Sequence, residues 1–127
     1  KKPIWAGFST RLSDAGLVLS FMEEDDIPFE SVVKIVKDFN IDVAGIMHTD
    51  VNAVSESLKV LRNFFDGPLM VYPDSGGWVS PNWDFNKVIQ PKQLKSFAEK
   101  WIKEGVNIIG GCCGLSPNHI KEIAQLK

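Results

Sequence analysis

Short apolar runs alternate with amphipathic stretches four times along this chain, and this alternation restricts the folds that it can adopt. Apolar residues spaced three or four positions apart are typical of a helix, whereas a short continuous apolar run favours a strand buried on both faces. Strands and helices in regular alternation are the pattern of a parallel sheet covered by helices. We therefore predict an α/β fold of four βα units, (βα)4, with parallel strands and the helices outside.

The same pattern predicts where each element lies. The four predicted strands are residues 3–8, 41–47, 69–72 and 106–109. The predicted helices begin at residues that favour helix starts, namely Pro28, Thr49 or Asp50, Pro91, and Ser116 with Pro117. Polar loops of roughly 18 residues follow the first and third strands, at 9–26 and 73–90. Strand-to-helix connections of this length are usually functional.

Length and composition limit the kind of protein this is. At 127 residues, 44% of them hydrophobic, the chain is long enough for one domain with its own core, which we take to span residues 1–127. The formal net charge of −2 and the lack of a Lys or Arg cluster argue against a nucleic-acid partner. No apolar stretch approaches the ~20 residues of a membrane-spanning helix, so we expect no membrane association. Two cysteines in a chain of this size are typical of the reducing cytoplasm.

Side chains that can bind a metal ion stand at the ends of two predicted strands. Cys112 and Cys113, the only cysteines, follow the fourth strand among glycines, and His48 follows the second. Because the carboxyl ends of parallel strands share one edge of a sheet, these side chains are expected to meet there. Thiolate and imidazole ligands suit a soft metal ion. The sequence therefore predicts a metal site formed by Cys112, Cys113 and His48.

Other uses of the adjacent cysteines remain open. A disulfide between them is disfavoured, because consecutive Cα atoms lie about 3.8 Å apart whereas disulfides prefer roughly 4.4–6.8 Å. The short separation disfavours a metal-free redox pair for the same reason. Buried free thiols that act as small hydrophobic side chains are the simplest alternative. In that case His48 is only a polar residue satisfied by hydrogen bonds.

Several segments resemble the homocysteine S-methyltransferase family, the zinc-dependent (βα)8 barrels that include betaine–homocysteine methyltransferases. The most specific segment is GGCCG at 110–114, followed by SPNHI at 116–120. Three further segments occur in the order and spacing of the family: KPIWAGFS at 2–9, VAGIMH at 43–48 and YPDSG at 72–76. The resemblance runs the whole length of the chain but covers only the last four βα units of the barrel.

The resemblance implies the carboxyl-terminal half of a TIM-type barrel and a methyl transfer to a thiol. In the family, three thiolates hold a zinc ion, the sulfur of homocysteine takes the remaining position, and a methyl group is transferred to that sulfur to give methionine. Cys112 and Cys113 match two of the three thiolate ligands. The positions that we assign to substrate binding are Tyr72, Asp74, Ser75 and Gly111.

The sequence departs from the family pattern at three points. His48 stands at the position of the third cysteine ligand, which makes the zinc centre one charge more positive and a bound thiol more acidic but less nucleophilic. Asp74 stands where the family usually has Asn, which adds a negative charge to the loop. The first four strands, which in the family hold the amino-acid end of homocysteine and much of the donor pocket, have no counterpart in this sequence.

Four βα units leave two open sheet edges and a half-lined barrel interior, which favours association. We therefore expect the chain to pair with itself or with a separate partner half. Its expected small-molecule partners are homocysteine, or a similar thiol, and a methyl donor. On this interpretation the chain carries the zinc site of a methyltransferase-like enzyme and is incomplete or inactive alone. The alternative is a non-catalytic half barrel that binds metal or thiol and acts through assembly.

Overall fold

Four parallel strands and the helices that connect them dominate the computed structural model, which describes residues 2–22 and 24–126. In chain order the elements are β1 (Trp5–Phe8), β2 (Thr10–Leu12), β3 (Val18–Ser20), α1 (Phe29–Val33), a 3₁₀ helix (Lys34–Asp38), β4 (Val43–Asp50), α2 (Val54–Arg62), β5 (Leu69–Asp74), β6 (Trp78–Val79), β7 (Asn82–Trp83), a 3₁₀ helix (Phe85–Lys87), α3 (Pro91–Lys103), β8 (Val106–Ile109) and α4 (Pro117–Ile123).

The main sheet has the strand order β1-β4-β5-β8, and every neighbouring pair is parallel. A helix follows each of these strands in the sequence, so each crossover returns the chain to the same starting side. All four strands therefore end at one edge, which we call the carboxyl edge. This arrangement confirms the predicted (βα)4 fold.

The two faces of the sheet differ because side chains alternate along each strand. Ile46 and Val71 point towards the helices and join Leu58, Leu94 and Trp101 in the buried core. The opposite face is concave and borders a cavity of about 540 Å³. Its lining includes Trp5, Gly7, Met47, Met70, Tyr72 and Ile108. This inner face corresponds to the interior of a TIM-type barrel.

The first long connection is more ordered than the sequence analysis predicted. Residues 9–26 were expected to form a polar loop, but they contain the antiparallel hairpin β2–β3. A turn closes the hairpin, with Gly16 at a φ of +79°, a conformation that glycine adopts without steric cost. The second long connection likewise contains the short antiparallel pair β6–β7.

The helix boundaries also differ in places from the prediction. The helix predicted from Pro28 is the five-residue α1 followed by a 3₁₀ helix, and Phe39, the residue after it, is exposed. The helix predicted to start at Thr49 or Asp50 begins at Val54, because β4 continues to Asp50. Within the described residues, helices long and apolar enough to cross a membrane are absent.

Candidate metal and thiol site

His48 lies near the end of β4, where the strand carries an irregularity. The pairing of β4 with β5 shifts between Met47 and Asp50, so β4 contains one more residue than its partner over this stretch. His48 takes up the irregularity with a φ of +47°, which costs a non-glycine residue about 1–2 kcal/mol. Strained backbone of this kind concentrates at functional sites, where the surrounding structure holds it. The bulge places the imidazole at the carboxyl edge.

Cys112 and Cys113 lie on the loop between β8 and α4, which backbone hydrogen bonds hold to β5. The Gly110 and Cys112 amides donate to the carbonyls of Val71 and Pro73, each at 2.8 Å. The amide of Ser75 donates to the Cys113 carbonyl at 3.0 Å. These bonds extend the sheet past the strand ends and fix the vicinal cysteines beside the end of β5.

Gly114 allows the chain to turn immediately after the cysteines. Its φ of +78° lies in the left-handed region, and a Cβ there would collide with the backbone oxygen of Ser75. Only glycine meets both conditions, so the glycine that follows the cysteines in the sequence has a local structural cause.

The sulfur and nitrogen donors of His48, Cys112 and Cys113 form one cluster, in which all ligand atoms lie within 4.8 Å of one another. The Cys112 sulfur is 3.8 Å from His48 Nδ1 and 3.8 Å from the Cys113 sulfur. Two sulfurs about 2.3 Å from a tetrahedral zinc ion lie about 3.8 Å apart. The donor spacing and donor chemistry therefore fit a zinc ion. Cys112 is partly buried and Cys113 is exposed, which leaves a side open to ligand.

The charges around the cluster favour a cation. Asp74 is buried beside it, with Oδ2 3.5 Å from His48 Nδ1. Burial raises the pKa of this carboxyl and Asp50 raises it further, although His48 opposes the shift. The pKa of the Cys113 thiol is also raised, first by partial burial and then by Cys112 and Asp74. Both groups would ionise more readily beside a bound positive charge.

The four positions assigned to substrate binding lie around this cluster in different settings. Tyr72 lines the inner cavity and its hydroxyl donates to the Met47 sulfur at 3.1 Å. Ser75 is buried, and its hydroxyl accepts from the Ile89 amide. Gly111 also borders the cavity. Tyr72 and Gly111 therefore lie where the cluster of His48 and the cysteines meets the inner face. The Ser75 side chain is instead hydrogen-bonded within the chain.

His119, the other histidine, is buried away from the cluster. Its Nδ1 accepts a hydrogen bond from the Ser116 amide at 3.0 Å, and its Nε2 lies 2.8 Å from the Ile89 carbonyl oxygen. It therefore ties the start of α4 to the loop before α3.

The sequence analysis missed two features of the site. Phe21, from the segment after β3, lies against the His48 ring with a centroid distance of 5.1 Å. A buried hydroxyl cluster of Thr10, Thr49 and Ser57 anchors β2 to the residue after His48. The short apolar run at 17–19 is a weak strand signal that could have revealed the hairpin. No local signal marks the hydroxyl cluster.

The fold and the clustered donors define the class of this protein: a TIM-type α/β chain with thiol and imidazole groups at the carboxyl edge of its sheet. The sequence model of the family described as "Homocysteine S-methyltransferase" matches residues 1–126. Among curated proteins, the selenocysteine methyltransferase of Astragalus bisulcatus is 24% identical over 98% of this chain and 36% of its own length. The homocysteine S-methyltransferase 1 of Saccharomyces cerevisiae is 35% identical over 68% of this chain and 28% of its own length.

Solved structures agree on the fold. The homocysteine methyltransferase MmuM from Escherichia coli, in its metallated form, superimposes with a TM-score of 0.64 at 24% identity. That match covers 95% of this chain and 35% of the other. The chain belongs to the homocysteine S-methyltransferase family. It spans about a third of the length of the relatives it matches.

Proposed function

We propose that this chain carries the zinc-binding edge of a homocysteine S-methyltransferase-like enzyme, where a methyl group is transferred to a thiol such as homocysteine to give methionine. The observation that carries the proposal is the convergence of His48, Cys112 and Cys113 within 4.8 Å in a member of this family. We place the protein in the cytoplasm, where a reducing environment keeps both cysteines as thiols.

His48, Cys112 and Cys113 would hold the zinc ion and leave one position for the substrate sulfur. A zinc ion held there would lower the pKa of a bound thiol and so supply a thiolate at neutral pH. In the transfer, the thiol would lose its proton to solvent and its sulfur would form a bond to the methyl carbon. The bond from that carbon to the donor would break, with its electron pair leaving on the donor.

Tyr72, Asp74, Ser75 and Gly111 are the proposed substrate-binding positions. Tyr72 and Gly111 border the cavity on the inner face, next to the donor cluster. The buried Asp74 carboxyl lies beside His48 and favours positive charge in the site. Ser75 acts from a distance, because its backbone amide holds the Cys113 carbonyl while its hydroxyl holds the Ile89 amide.

We further propose that a second copy of the chain completes the inner face. The edge strands β1 and β8 end the same parallel sheet on opposite sides. The β1 edge of one copy can therefore pair in parallel with the β8 edge of the other, at two equivalent joints, to give eight strands. Apolar side chains lie at both edges and are exposed in the single chain, namely Trp5 on β1 and Ile102 and Ile120 beside β8.

A non-catalytic half barrel that binds thiol or metal is the second candidate function. The observation that favours it is the open inner face, because a single chain leaves the cavity beside the cluster lined on one side only. An enzyme needs the methyl donor held in line with the thiolate, and orientation of that kind requires contacts around the donor.

Homocysteine binding and turnover by the metal-loaded chain separate these functions. We expect homocysteine to change the absorption spectrum of the cobalt-substituted protein through a new sulfur–metal bond, whereas homoserine, which lacks the thiol, leaves it unchanged. Methionine formation from S-methylmethionine, betaine or S-adenosylmethionine with the zinc-loaded protein would establish the enzyme. A homocysteine response without methionine would favour the binding module. A metal-loaded chain that gives no response to homocysteine would contradict the enzyme, and a chain that binds neither metal nor homocysteine would contradict both functions.

A further inference from the structure

The β2–β3 hairpin brings an aromatic ring onto the imidazole of His48. Phe21 lies directly after β3, and its ring centroid is 5.1 Å from that of His48 with an angle of 45° between the rings. This distance is within the range in which aromatic rings attract each other. Phe21 remains 45% exposed, so core packing alone does not explain its position.

The hairpin is fastened to β4 at the residue next to His48. The Thr10 amide donates to Thr49 Oγ1 at 2.9 Å, and the Thr49 hydroxyl donates to the Met47 carbonyl at 2.8 Å. The Thr10 hydroxyl is 2.7 Å from the Ser57 hydroxyl, and these groups are buried. The hairpin therefore cannot move away from the bulge at its base without breaking buried hydrogen bonds.

Further contacts hold the segment beyond the hairpin. The Arg11 guanidinium donates to the Met22 carbonyl at 3.3 Å and pairs with Asp26 at 2.7 Å. Phe21 thus sits between the paired residue Ser20 on one side and the restrained Met22 on the other. These contacts restrain the backbone on both sides of Phe21, whose ring packs at a tilt against the imidazole.

We propose that Phe21 is a positioning residue that holds the His48 ring with Nδ1 towards the thiols. His48 Nδ1 faces both Cys112 and Asp74, and the ring needs a fixed rotation to keep it there. A metal-ligating histidine is usually oriented by a hydrogen bond from its second nitrogen. Among the residues that the structure describes, His48 Nε2 has no such bond, and ring packing supplies the orientation instead. This role rests on the proposed metal site.

Zinc affinity, measured by competition with a chelating dye, tests the role. Phe21→Ala is expected to weaken zinc binding by about tenfold, the lower end of the effect of removing a group that orients a ligand. Phe21→Tyr keeps the ring and should restore binding, and Leu17→Ala, an exposed apolar truncation on the same hairpin, should leave it unchanged. His48→Ala should leave only weak zinc binding by the two thiols, and Phe21→Ala should not weaken that residual binding further.

A metal-free measurement accompanies the affinity. The ring-proton shifts of His48 in nuclear magnetic resonance spectra should change in Phe21→Ala and stay constant in Leu17→Ala, because the ring current of Phe21 acts on them. A Phe21→Ala variant that binds zinc like the parent overturns the positioning role alone. An equal loss in the His48→Ala background also overturns it. A parent chain that binds no zinc overturns the metal site and this role together.

Discussion

The resemblance to the family implies that His48 stands in place of a cysteine thiolate and Asp74 in place of an asparagine amide. These two side chains face each other. Asp74 Oδ2 lies 3.5 Å from His48 Nδ1. The carboxylate therefore returns to the site the negative charge that the histidine removes. We infer that the two changes compensate each other, so that the charge around a bound zinc ion stays the same.

Asp74→Asn should stabilise the metal-free protein at neutral pH, because the burial that raises the pKa of this carboxyl disfavours its ionised form. A raised pKa in the folded state means that stability is lost as the pH rises above the ordinary value of 3.8. The stability difference between variant and parent should therefore be smallest below that pH and grow as the pH rises, until the folded carboxyl is ionised. Urea unfolding of both proteins at several pH values, in the presence of a metal chelator, measures this stability difference.

Asp14→Asn is the matched control, because Asp14 is exposed in the turn of the β2–β3 hairpin. Its unfolding midpoint should follow that of the parent at every pH. A constant difference between Asp74→Asn and the parent across the pH range would show that the carboxyl charge is not the cause.

At the scale of elements, the site depends on how β4 ends and on what holds that end. The strand continues through the bulge at His48 to Asp50, and the β2–β3 hairpin lies against it. The buried hydroxyls of Thr10, Thr49 and Ser57 join hairpin, strand and α2. Buried polar groups of this kind stabilise a structure only while all of them keep their partners.

Thr10→Val should lower the free energy of unfolding by about 1–3 kcal/mol, because it removes a hydroxyl from this buried cluster while keeping the shape of the side chain. Ser96→Ala is the control, since it removes a hydroxyl from the exposed face of α3. We expect that change to stay within about 0.5 kcal/mol. Equal effects of the two substitutions on urea unfolding would mean that the cluster does not anchor the hairpin.

Sequence patterns were sufficient to predict the four strands of the parallel sheet but not the β2–β3 hairpin that packs against it. The short run at 106–109, mostly apolar and bounded by Gly105 and Gly110, predicted β8 to the residue. The hairpin was missed because β2 and β3 are three residues each, too short for a clear alternation. The irregularity at His48 was missed because it arises from pairing with β5, which the sequence of β4 does not encode.

The candidate site was predictable for a different reason. The cysteines and His48 end strands of one parallel sheet, and topology alone brings such ends to one edge. The distances among them, the burial of Asp74 and the contact of Phe21 depend on the tertiary packing of segments far apart in the chain. Local patterns carry no information about those contacts.

At the scale of the whole molecule, the chain has the architecture of half a barrel. Strands β1 and β8 each have an unpaired edge within the described residues, and the concave face between them is lined with apolar groups. Exposed edges and apolar surfaces of this kind favour association. The proposed pairing of two copies covers the edges and the inner face at the same time.

The mass of the chain in solution tests this pairing. Light scattering after size exclusion at micromolar concentration should give twice the 14.2 kDa of one chain. Trp5→Lys, on the inner face of edge strand β1, should shift the protein towards the monomer, because the charge would be buried in the joint. Trp78→Lys changes an exposed tryptophan on β6 and should leave the dimer intact. A monomeric parent would contradict the pairing.

Metal content is the measurement that tests the central claim most directly. Protein purified without chelators should contain about one zinc ion per chain, the capacity of a single four-coordinate site. Cys112→Ala and His48→Ala should lose that zinc, whereas His119→Gln, which changes the other histidine, should keep it. A parent protein without zinc would contradict the account, and a His48→Ala variant that retains the full amount would remove His48 from the site.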